Sequence, residues 1–80
     1  MAQTMQKPLG YAMSNVSYDL VSTLAEDLDS IEVLNAYIQD CQKEGDQDLV
    51  NIFNQIREDE VKHCELLKKA IESRCKQGKF

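Results

Sequence analysis

The chain has little with which to break a helix. It holds one proline, Pro8, and three glycines, Gly10, Gly45 and Gly78. These lie near the two ends and the middle, so two long segments run without a breaker. No apolar run approaches the roughly 18 residues of a membrane span. The first residues, Met1 to Gly10, lack the apolar core of a signal peptide. The expected location is therefore the cytoplasm, or a compartment enclosed within it. Cysteine is sparse as well. Cys41, Cys64 and Cys75 are odd in number and lack Cys-x-x-Cys spacing, which argues against a disulfide framework. They read as small, partly buried residues or free thiols. Basic charge is also in deficit. A net charge of -5 argues against a nucleic-acid partner and against docking on anionic lipid.

What is present suits a folded helical protein. Hydrophobic residues make up 42% and charged residues 29%, a balance that can bury a core. At 80 residues the chain is one domain at most. Residues 1–14 read as an extended or poorly ordered, flexible arm, with Ser14 or Asn15 as the N-cap of a first helix. Leu20, Val21, Leu24, Leu28, Ile31, Leu34, Tyr37, Ile38 and Cys41 recur at helical steps, placing that helix at about 16–43. Glu44-Gly45-Asp46 forms the break. Gly45 suits a left-handed C-terminal position, and Asp46 suits the N-cap of a second helix over about 47–76. A tail, 78–80, follows. So short a connection makes the helices antiparallel neighbours. The expected fold is all-α, a two-helix hairpin whose remaining apolar surface is covered by a second copy in a four-helix bundle.

One stretch departs from this pattern. Leu49, Ile52, Phe53 and Ile56 mark an apolar stripe that resumes at Leu67, Ala70 and Ile71. Between them the same stripe passes through Glu60 and His63, a Glu-x-x-His pair that shares one helix face. Burying these groups unpaired would cost several kcal/mol, and a metal ion is the usual compensation. With the turn centred between Gly45 and Asp46, residues at one level have numbers that sum to about 91, given equal rise in both helices. That ruler puts Glu32 near the height of Glu60 and His63, with Asp29 as the substitute. Cys64 falls level with Asp27. The plainer alternatives are a surface glutamate at Glu32 and a core histidine at His63 satisfied by a carboxylate. Two copies of Glu32, Glu60 and His63 could hold two metal ions. Carboxylate and imidazole ligands favour iron or manganese, with zinc as an alternative.

The segment Asp59-Glu60-Val61-Lys62-His63-Cys64-Glu65-Leu66-Leu67 resembles the metal-binding helix of rubrerythrins. The short chain with two long helices resembles the encapsulated ferritins, half-ferritins of the ferritin-like superfamily. The resemblance covers about Leu24 to Ile71. It rests on Glu-x-x-His, the leucine-rich flank, Tyr37 and the Gly45-Asp46 turn. It implies a di-iron carboxylate centre shared between subunits, with Glu32, Glu60 and His63 as its metal-binding and catalytic residues. It further implies oxidation of Fe(II) by oxygen, a homodimer or larger homo-oligomer, and packaging in an encapsulin-type shell. Two features depart from the family. The family's first-helix glutamate commonly stands seven residues before a tyrosine, whereas Ser30 holds that place before Tyr37 and Glu32 is five before it. The C-terminal Arg74-Cys75-Lys76-Gln77-Gly78-Lys79-Phe80 does not resemble a shell-targeting tail. A non-catalytic zinc or manganese bundle and a metal-free helical interaction module remain the alternatives.

Overall fold

A computed structural model describes residues 12–80; most of the expected N-terminal arm lies outside them. Helix α1 runs Asn15–Glu44 and helix α2 runs Gln47–Lys76, each of 30 residues. Ser14 caps α1, its hydroxyl accepting from the Ser17 N–H at 3.1 Å. At the far end Gly45 adopts φ 73°, in the left-handed region. Its N–H donates to the Gln42 carbonyl, and the Asp46 N–H donates to the Cys41 carbonyl. Two free carbonyls of the last turn are thereby satisfied. Asp46 then caps α2, accepting from the Leu49 N–H at 3.1 Å. One turn thus ends the first helix and starts the second within two residues, and the helices pack antiparallel. No described helix is long and apolar enough to cross a membrane.

The line along which the helices meet has a heptad rhythm. On α1 it takes Ser17, Leu20, Leu24, Asp27, Ile31, Leu34, Ile38 and Cys41, all buried or half-buried. On α2 it takes Val50, Phe53, Arg57, Glu60, Cys64, Leu67, Ile71 and Arg74, again all buried or half-buried. Steps of three and four alternate without a slip. That is the repeat of about 3.5 residues by which two helices keep one seam in contact. Near the turn Ile38, Cys41 and Val50 form the tightest part of the core, with Phe53 packed against them. Phe53 in turn meets the Tyr37 ring at 5.8 Å between centroids, tilted at 60°. At the open end Ser17 is fully buried. The Lys79 carbonyl accepts from its hydroxyl at 3.5 Å and from the Arg74 guanidinium at 3.0 Å.

Phe53, Leu67 and Ile71 of the apolar stripe expected to form the core lie in this seam, and the rest of its large members do not. Leu49 and Ile56 are each 42% exposed and Ile52 is 53% exposed. Val33 and Tyr37 of α1 are exposed on the same side. The physical reason is coverage. Two helices in contact bury one narrow line, and a wider apolar face needs another layer. The structure contains the hairpin; the four-helix bundle is a matter for its assembly.

The left-handed turn yields a stability prediction. Nothing lies within 4 Å of a Cβ placed on Gly45, so a substitution there meets no clash, only backbone strain. Gly45→Ala should lower unfolding free energy by about 1 kcal/mol. Thermal melts of the two proteins check this, and equal midpoints would remove the glycine's role.

Candidate metal centre

Midway along the seam the apolar layers give way to acids. Asp27 comes from α1 and Glu60 from α2, both half-buried. His63 is one turn beyond Glu60, at the edge of the seam. Helical spacing of three places the two side chains on one face. Asp27, Glu60 and His63 each offer a ligand atom, and these atoms all lie within 4.8 Å of one another. The His63 Nδ1 stands 3.5 Å from Glu60 Oε1, with the two side chains 56% and 25% exposed. That separation is too long for a good hydrogen bond. Glu60 Oε1 is a buried atom with no hydrogen-bond partner.

These facts fit a cation. A buried carboxylate oxygen without a donor is costly, and a second carboxylate beside it adds repulsion. A positive ion between them would remove both penalties. The donor set is two hard carboxylates and one imidazole, which suits iron, manganese or zinc. The buried neighbour is Cys64, whose thiol is held above its usual pKa by burial and then by Asp27, Glu60 and Glu65, with Lys68 opposing. In this form Cys64 is a small protonated side chain packed in the seam.

Of the expected ligands, the structure brings Glu60 and His63 together. Glu32 is exposed and outside the group. It follows Asp27 by five residues, about 140° around the helix at about 100° per residue. Its height along the hairpin suits the site, but its direction does not. Asp29, the substitute, borders an open groove with Ser30, Val33, Tyr37, Ile56 and Glu60. Asp27 is the residue that sequence reasoning missed. Two signals could have found it: the ruler that sets it level with Cys64, and its place in the heptad between Leu24 and Ile31.

The chain matches no protein-family model, no curated protein and no solved structure.

The cysteines give a direct check on the seam. Cys41 and Cys64 are buried and Cys75 is exposed, all three as free thiols. A thiol reagent should modify Cys75 at once, and Cys41 and Cys64 only as the helices open. Mass spectrometry of the native and denatured protein counts the labels. Rapid labelling of Cys64 in the native protein would contradict the packing described.

Proposed function

We propose that this chain is an iron-binding, ferritin-like protein. Two hairpins share a di-iron carboxylate centre and oxidise Fe(II) to Fe(III) with oxygen. The observation that carries the reading is the group Asp27, Glu60 and His63, with its buried and unpartnered Glu60 oxygen. It is supported by where the group sits. The exposed apolar residues Val33, Tyr37 and Ile56 line one groove, and Glu60 borders the same groove. A second copy laid on that side would cover the apolar face by two-fold symmetry. It would also bring a second Asp27, Glu60 and His63 toward the first.

Among the described residues, each hairpin brings three protein ligands to this group. Two ferrous ions need more, and carboxylates that bridge between ions are the economical supply. Ferrous iron is the substrate in this scheme. Two such ions each give one electron to dioxygen, which takes up two protons and leaves as hydrogen peroxide. The protein's own residues bind and orient. Asp27 and Glu60 neutralise charge, His63 fixes one side of each ion, and the apolar flank limits water. The non-catalytic alternative is zinc or manganese held by the same ligands without turnover. An encapsulin-type shell is left as an implication of the resemblance alone.

Two experiments test the reading. His63→Ala and Asp27→Asn should each abolish stoichiometric metal binding while circular dichroism keeps its helical signal. The wild type should oxidise ferrous ion faster than buffer in air. Metal content unchanged in both variants would sink the site, and binding without turnover would favour the zinc or manganese alternative.

Assembly is tested separately. Ile56 is exposed in the single hairpin, so Ile56→Glu costs the monomer little. The wild type should show a native mass of at least twice 9.1 kDa. The variant should fall to one chain and lose its tight metal site. A wild type that is folded and monomeric would refute the shared centre.

A further inference from the structure

The cluster leaves one nearby cation unexplained. Arg57 occupies the seam one turn before Glu60, and residues three apart on a helix can pair. An arginine in that position is the natural partner for a half-buried glutamate. It would satisfy Glu60 and occupy the ligand. The structure sends it elsewhere. Arg57 Nη1 donates to Asn35 Oδ1 across the seam at 2.6 Å. Arg57 lines a groove with Ile31, Glu58, Val61 and Lys62, apart from the one that Glu60 borders. Glu60 Oε1 remains without a hydrogen-bond donor.

We infer that Asn35 is a positioning residue for the metal centre: by holding the Arg57 guanidinium on its own side of the seam, it keeps Glu60 open to a cation. This rests on the metal-binding reading of Asp27, Glu60 and His63. The chemistry of position 35 is suited to the task. An amide oxygen accepts from the guanidinium without adding another negative charge to an acidic hairpin. The hydrogen bond crosses between helices, so it also ties the height of Arg57 to α1. Deleting the acceptor releases the guanidinium, and Glu60, three residues on along the same helix, carries an unsatisfied acceptor. A cation would then have to displace Arg57 before binding.

The test is a set of variants titrated with manganous ion, with free ion counted by electron paramagnetic resonance. Wild type binds and His63→Ala does not, which establishes the site itself. Asn35→Ala then weakens binding roughly three- to tenfold, the span of one partly exposed ion pair. Arg57→Ala binds at least as well as wild type. Asn35→Ala with Arg57→Ala returns to the wild-type affinity, because the competitor is gone. Asn35→Asp, which can still hold the guanidinium, stays within about twofold of wild type, well below the tenfold that about 1.4 kcal/mol would give. A purely structural loss at position 35 would not be rescued by removing Arg57. Wild-type affinity in Asn35→Ala, or no recovery in the double variant, overturns the inference alone. A wild type that takes up no manganous ion overturns the metal reading, and this inference with it.

Discussion

Everything in this molecule hangs on one line of contact between two helices. The seam repeats every seven residues, and its positions alternate by three and four on both strands of the hairpin. A contact so regular holds two helices side by side over their full length. It is also narrow. Among the described residues, Leu34, Ile38, Cys41, Val50 and Cys64 are the apolar side chains that are truly buried. A chain of this size has too little interior to bury its other large apolar residues. Both the order inside the hairpin and the apolar surface left outside it follow from the same seam.

The narrowness gives the polar members of the seam their weight. Asp27, Arg57 and Glu60 stand where a heptad calls for apolar residues. Each must be satisfied or else penalise the fold. Arg57 donates one hydrogen bond to Asn35. Asp27 and Glu60 share their space with each other, with His63 and with a protonated thiol. Two carboxylates so placed repel, and neither the imidazole at 3.5 Å nor the thiol supplies a strong donor to Glu60 Oε1. The group is therefore electrostatically incomplete in the isolated hairpin. The apolar flank beside it is incomplete in another sense, being half uncovered. Two deficits thus lie on one side of the same hairpin.

Much of this is legible in the sequence. The two helices, the Gly45 turn and the Ser14 and Asp46 caps follow from local rules, because each depends on residues within a few positions of one another. Glu60 and His63 are legible for the same reason, sharing one face of one helix. Asp27 is not, because its contact with Glu60 depends on rotation about α1 as well as height along it. The ruler across the turn gives height alone, and by height Glu32 and Asp27 bracket the Glu60 and His63 levels, each about one residue away. What separates them is the heptad, which places Asp27 at the seam and turns Glu32 away. The apolar stripe through Ile52 and Ile56 misled in the complementary way. A periodic stripe marks a face that avoids water, but not which neighbour covers it.

The position of the acids along the seam bears on how well they are held. Toward the turn they are bounded by Ile31, Leu34, Ile38 and Phe53. Toward the open end they are bounded by Leu20, Leu24, Leu67 and Ile71. Fraying begins at helix ends, so groups in the middle are the last to part. A site that must present fixed ligand atoms gains from this, since precision comes from rigid elements and their packing. Cys64, level with Asp27 and almost wholly buried, adds to it: a small side chain there leaves room for the carboxylates to converge, where a leucine would wedge them apart. At the open end the buried Ser17 hydroxyl lies 3.5 Å from the Lys79 carbonyl, a marginal contact between the helix ends. Polar residues in the centre thus rely on apolar layers at both sides, the tightest of them toward the turn at Ile38, Cys41 and Val50.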